Sequence, residues 1–427
     1  MLFFLQYWQT RINRLIQPFL LGLRCQSHYI YMKRICILLL LLLSTFDLFS
    51  QNDSTDQTRM SLLTCGVGDE LYASFGHTAI RYTDPAKGID EIYNYGMFDF
   101  ADPDFLMKFT RGKLLYYVGI GSYNNFVEDY SYEQRSVIEQ ELDLSPAQKS
   151  KILAFLKDNL KPENKYYKYD FLYDNCATRI RDIFPGILGP GFRFGASLPE
   201  GRKISFRKII DEYQRNNHWA RLGINIVLGS RIDKVMTNEE AMFLPDMLMQ
   251  GMATAKLDGK AIVAGAPKQV VKGTDRTALS PNGPMWAMIA LLLFTLIVFF
   301  VRPLQVLKPF IAFLHLLLSG LLGAVLLFMW LGTDHQSCAN NYNLLWALPF
   351  NLPFALTVFK PRSWHKQYSL IAIVLLILAL MVHVIGIQAM PLTELLPFFL
   401  CLLYVYLFVY KRAIGAFGGG AGSSVAQ

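Results

Sequence analysis

At Met285 the chain changes character, and that change limits what it can fold into more than any other feature. Beyond it come five long apolar runs, Met285–Val301, Pro309–Leu331, Leu344–Phe359, Ser369–Ile387 and Leu395–Tyr410. Each approaches the roughly 20 apolar residues needed to cross a bilayer as a helix. Backbone polar groups find no water in hydrocarbon, so runs like these predict an all-α bundle of five transmembrane helices. Pro349 and Pro353 interrupt the third, which is expected to kink. Charges in the connections set the orientation. Arg302 and Lys308, then Lys360, Arg362 and Lys366, then Lys411 and Arg412, alternate with connections that carry neither Lys nor Arg. The positive-inside rule puts the tail in the cytoplasm and everything before Met285 outside it, in the inner (cytoplasmic) membrane of a multi-pass protein.

The net charge of +8 belongs to the membrane flanks. The first 34 residues and the segment after Met285 hold most of the excess Lys and Arg, and residues 35–284 are close to neutral with mixed signs. A nucleic-acid partner is therefore not expected. Met32-Lys33-Arg34 and the apolar stretch from Ile35 to Thr45 read as a signal segment ending near Ser50, with Met32 as the start and residues 1–31 an upstream artefact. An uncleaved anchor is the alternative, and either one exports the region after it. The expected division is leader 1–51, an extracytoplasmic α+β domain 52–265, linker 266–284, transmembrane domain 285–412 and tail 413–427.

Within the α+β region, strands are expected at Ser61–Cys65, His77–Tyr82, Glu91–Tyr95 and Lys113–Gly119, with a turn at Asp84–Gly88. A helix begins at Ser145-Pro146, more helix is expected near 204–217 and 238–256, and a short strand at Ala261–Ala264. Of the six cysteines, none has metal-ligand spacing, so neither a zinc site nor any cofactor is expected. A Cys65–Cys338 disulfide is open in an oxidising compartment.

Two segments carry chemistry. One is Gly68–Thr78, with His77 opening a strand. The other is Tyr169–Arg179, where Asp174 or Asn175 caps a helix that starts at Cys176. A thiol at a helix N-terminus feels unpaired N–H groups and the positive end of the dipole. An ordinary thiol, with a pKa near 8.5, is a few per cent ionised at neutral pH, and a fall of about 2 makes it mostly thiolate. A neighbouring histidine adds to that and later returns the proton. The opposing reading is a packing thiol and a core histidine, but the polar surroundings of Cys176 at a helix start weigh against it. If the hairpin turns at Asp84–Asp90, residue 77 faces about residue 96 and Asn94 shares its sheet face. Asn94 is then the residue that orients His77; a one-residue slip substitutes Tyr93 or Tyr95.

His77 on a strand, with Asn-Cys at a helix start about a hundred residues later, resembles the circularly permuted papain-like fold of NlpC-like enzymes and lecithin:retinol acyltransferase. The stretches LLTCGVGDELYASFGHTAIR, EIYNYGMFDF, YKYDFLYDNCATRIRD, LGSRIDK, MFLPDML and GTDHQSCANNYNLLWALP are similar to Lnb-type lipoprotein N-acyltransferases. The resemblance implies transfer of an acyl chain from a phospholipid donor, through a Cys176 thioester, to the amine of a diacylated lipoprotein acceptor. It also makes the polar outer loop with Asp334, His335, Asn341 and Asn343 a substrate-facing rim, which read alone is a solvated loop. Arg179 and Arg181 suit a phosphate headgroup, or form ion pairs with Asp170 or Asp182. His315 and His383 lie within spans as functional or packing residues. Two further readings stand beside this one: a membrane-anchored cysteine hydrolase acting on peptidoglycan peptides or lipid esters, and a non-enzymatic assembly protein.

Overall fold

The computed structural model describes residues 56–417 apart from 200, 275 and 277; the expected leader, the start at Met32 and the last part of the tail lie outside the described residues. Ten strands are present among them: β1 Arg59–Cys65, β2 His77–Asp84, β3 Ile89–Met97, β4 Leu115–Ser122, β5 Val137–Glu141, β6 Tyr166–Lys168, β7 Phe192–Arg193, β8 Lys256–Leu257, β9 Lys260–Ala261 and β10 Lys268–Val271. Seven of them form an antiparallel sheet in the order β10-β5-β1-β2-β3-β4-β6, and β7, β8 and β9 make a small second sheet. The β2–β3 hairpin closes on Pro85–Lys87 and Gly88. Its register pairs Ala79 with Asn94, the register expected from the sequence. β10 falls in the stretch expected to be linker; it adds an edge strand to β5.

A short helix, α1 Phe105–Thr110, stands between β3 and β4, and helices cover both faces of the sheet: α2 Tyr123–Tyr132, α3 Pro146–Asn159 and α4 Cys176–Leu188. Alternation along β2 sends Ile80 and Tyr82 into one core with Ile152 and Leu156 of α3 and Ala177, Ile180 and Phe184 of α4. The other face packs Ala79 and Ile92 against Phe126 of α2. Burying a side chain such as Phe184 contributes roughly 1.5–3 kcal/mol, so α4 is firmly held where it crosses the sheet. Ser145 caps α3 through a capping box with Gln148. Beyond the sheet come α5 Phe206–Tyr213, α6 His218–Val227 and α7 Pro245–Ala253. The helix expected over 238–256 is broken because Pro245 lacks an N–H and starts a new one.

The apolar region contains α8 Gly283–Phe300, α9 Lys308–Leu331, α10 Asn351–Thr357, α11 His365–Ile385 and α12 Leu392–Phe417. Among the described residues four segments, 283–300, 302–331, 365–385 and 392–417, are helical, long and apolar enough to cross a membrane. They coincide with four of the five expected spans, and the third expected run has another form. That run folds as a 3-10 turn at Tyr342–Leu345 followed by the seven-residue α10. Pro349 and Pro353 remove two backbone donors. Asn351 there is fully buried, held by Ser319, Tyr368 and Tyr406, and a buried amide at that depth requires such partners.

Candidate active site

The cysteine comes first because its surroundings are built by the helix it begins. The side chain of Asn175 accepts the N–H groups of Ala177 and Thr178, each at 2.9 Å, and Thr178 Oγ1 accepts the Asn175 N–H at 2.7 Å. The Asn175 amide also donates to the carbonyls of Phe171 and Phe243. This cap, worth about 1 kcal/mol, pins Cys176 at the first position of α4, half-buried, where the helix starts at the end of the sheet. His77 is the first residue of β2 and faces it. The Nε2 of His77 lies 3.1 Å from Asn94 Oδ1. That oxygen only accepts, so Nε2 carries the proton and Nδ1 is left for the thiol.

Electrostatics tie the pair together. Burial works against a thiolate at Cys176. The charge and hydrogen bond of His77, with the backbone N–H groups of Thr78 and Ala177, outweigh it and hold the thiol below its ordinary value. Burial likewise works against a charged His77, but Cys176 and the bond to Asn94 hold its imidazole above the usual range. The other described thiols behave differently. Cys65 and Cys338 are free and buried, and burial pushes both up to about 12. The disulfide left open by the sequence does not form.

Two features of the site were not read from the sequence. Gly96 has φ +88, a conformation that favours glycine, and a Cβ there would lie 3.5 Å from the Cys176 Cβ and 4.0 Å from both the Cys176 nitrogen and the Tyr167 hydroxyl. Tyr167 is buried, and its hydroxyl sits beside the Gly96 backbone without closing a well-formed hydrogen bond. An isolated Gly inside a strand-like run signals a bulge, and β3 does slip against β4 between Asn94 and Met97. The signal for Tyr167 was weaker: the middle tyrosine of a three-residue strand points opposite to its neighbours.

The remaining predicted residues are engaged within the protein. Arg179 pairs with Asp174 at 2.6 Å and lies 3.6 Å over the Tyr167 ring. Arg181 pairs with Asp182. Asp334 bonds Lys168 at 3.0 Å, and His335 Nε2 bonds the Phe109 carbonyl at 3.0 Å. Asn341 donates to the carbonyls of Ile226 and Val227, and Asn343 to those of Asn225 and Ile226. These two asparagines thus satisfy the carbonyls left open at the C-terminal end of α6, and both are buried. They join the outer loop to the α+β part and present no free amide to a ligand. His315 is buried between Thr295 and the Ile311 carbonyl, and His383 Nδ1 accepts the Met390 N–H. Among the described residues no group of His, Cys, Asp and Glu is arranged to hold a metal ion.

Residues 45–212 match the family model described as the Lnb N-terminal periplasmic domain, and residues 274–413 match the Lnb transmembrane domain. The two matches meet in one chain, in order, over well over half its length. The chain belongs to the Lnb family. As an Lnb protein it is a multi-pass protein of the inner membrane, with the seven-stranded sheet in the periplasmic domain and the apolar helices in the transmembrane domain. No curated protein and no solved structure matches it.

Proposed function

We propose that this Lnb protein is a thiol-dependent lipoprotein N-acyltransferase with Cys176 as nucleophile, His77 as base and acid, and Asn94 as the group that orients the imidazole. The observation that carries the reading is the meeting of Cys176, at a capped helix start, with a His77 whose Nε2 is bound to Asn94. The arrangement resembles a permuted papain-like site, and the matched Lnb domains support a lipoprotein substrate.

In the first half-reaction the Cys176 sulfur attacks the ester carbonyl of a phospholipid. The carbonyl oxygen becomes an oxyanion, and the Cys176 N–H and the Tyr167 hydroxyl are the donors placed to receive it, in the space that Gly96 leaves open. The intermediate collapses, the C–O bond breaks, and His77 protonates the departing lysophospholipid oxygen, leaving a thioester. In the second half-reaction the amine of an S-diacylglyceryl cysteine attacks that thioester. An amide forms, the C–S bond breaks, and the amine's proton passes through His77. Both substrates stay in the bilayer, which accounts for an enzyme domain fixed to membrane helices. The chain from Asn343, bonded to α6, to Val358, whose carbonyl accepts from Arg412, is on this reading a fifth, broken crossing that keeps the loop charges in their alternation.

Replacing Cys176 with Ala or Ser in a host without other N-acylation, followed by mass spectrometry of lipoprotein N-termini, tests the proposal. Diacylated N-termini in the variant are expected; unchanged triacylation would overturn it. Peptide release from muropeptides by the purified protein would favour the hydrolase instead.

A further inference from the structure

Next to the site is an apolar surface that the reaction scheme does not use. Phe100 is 66% exposed and Leu106 74%, and Tyr72, Met97, Met107 and Phe109 are exposed with them. Monomeric domains rarely leave so many large side chains together in water. α1 contributes three of the six, yet its apolar side has no protein over it. Its Lys108 is drawn aside to Asp102 at 2.7 Å, and Arg111 and Lys113, both exposed, come just after its end.

Two continuities say what covers this surface. The first leads to the membrane. His335 Nε2 donates to the Phe109 carbonyl at 3.0 Å, and the Asp334 N–H donates to the Arg111 carbonyl at 2.9 Å. Gly112 packs so tightly that a Cβ would meet the His335 nitrogen at 3.1 Å. Asp334 and His335 lie just after the outer end of α9, a membrane span, so the surface sits at the level of the outer leaflet. The second leads to the thiol. Ring centroids step from Phe109 to Phe105 (5.9 Å), Phe98 (5.9 Å), Tyr116 (5.2 Å) and Tyr169 (4.4 Å). Tyr169 feels the charge of Cys176, and Gly96, one residue before Met97, backs it.

We propose that this surface, from Phe109 to Tyr72, is where the acyl chain of an outer-leaflet phospholipid leaves the bilayer and is led to Cys176, with Arg111 and Lys113 at its rim facing the headgroup phosphates. The inference rests on the acyl-transfer reading for its purpose but not for its first test. Aliphatic chains gain from apolar contact in proportion to area, and aromatic rings with polar edges suit the bilayer interface.

The test uses the full chain in nanodiscs containing phosphatidylethanolamine with a diazirine midway along one acyl chain. After photolysis, peptides are mapped by mass spectrometry. Adducts within residues 97–109 are expected in addition to those in the spans; adducts confined to residues 283–417 would overturn the proposal. That readout needs no turnover, so it can fail while lipoproteins are still triacylated, or succeed while they are not. A double variant, Leu106→Asp with Met107→Asp, changes two exposed positions and spares the core. Acylation of Cys176 by vesicle phospholipid should fall by roughly tenfold or more, while its alkylation by water-soluble iodoacetamide should stay within about twofold of the parent. Equal loss with both reagents, or loss with neither, would contradict a lipid-guiding role.

Discussion

Two buried polar clusters of this protein look alike in composition and differ in what their groups still have to give. At the junction of the domains, Arg207 bonds Asp233, Asn225 and the carbonyls of Leu228 and Gly229. Asn341 and Asn343 close the carbonyls of α6, and the Ala389 N–H reaches Asp233. At the Cys176 site, a hydroxyl lacks a well-formed bond, an imidazole nitrogen faces a thiol, and a glycine leaves space open beside both. A closed network fixes geometry. A cluster with bonds to spare holds groups ready for a reacting atom. Polar burial is therefore evidence of chemistry here only where partners are incomplete.

That contrast can be broken by substitution. The largest effect is expected at Cys176→Ala, which should lower acyl transfer by about 10⁴-fold or more with unchanged thermal unfolding, since no other described thiol is held toward its thiolate. Tyr167→Phe should lower kcat by roughly 10- to 100-fold with little change in KM, because an oxyanion donor acts in the transition state. The effect of His77→Ala on the thiol can be worked out by sign. Without the imidazole, only the Thr78 and Ala177 N–H groups oppose the effect of burial on Cys176, so the midpoint of its iodoacetamide reactivity should move to higher pH than in the parent. Cys65 and Cys338, at about 12, should stay inert through the neutral range in both proteins. The smallest effect on chemistry belongs to the junction. Asn343→Leu strands the buried Trp346 Nε1–H, at about 1–3 kcal/mol for the group stranded, and takes one of two donors from each of the Asn225 and Ile226 carbonyls. The melting temperature should drop while Cys176 in the folded fraction alkylates at the parent rate. A loss of thiol reactivity in that variant would show that the two clusters are not separate.

Much of this arrangement is legible in the amino-acid sequence. Apolar length and loop charge mark out the membrane region, and the Asp84–Gly88 turn implies a register that puts Asn94 beside His77. Local chemistry narrows the cap to Asp174 or Asn175 and so marks Cys176 as the start of the helix. What escapes depends on contacts distant in sequence. β10 reads as linker because Lys268–Val271 has no alternation of its own and becomes a strand only against β5. The third apolar run has the composition of a span, but Pro349, Pro353 and a buried Asn351 break it, and its partners Ser319, Tyr368 and Tyr406 come from three other helices. Asn341 and Asn343 read as a polar rim since nothing nearby in sequence reveals the end of α6 that they cap. The Tyr167 hydroxyl gains meaning only from its nearness to Gly96.

In the proposed mechanism Cys176 takes the acyl group before the lipoprotein does, and every later step depends on that transfer. Full-length protein incubated with phospholipid vesicles and no acceptor, then digested and weighed by mass spectrometry, tests it directly. An acyl mass on the peptide bearing Cys176, removed by hydroxylamine and absent in His77→Ala, is the predicted result. Transfer to an added lipoprotein with no such adduct, or with the adduct on another residue, would contradict it.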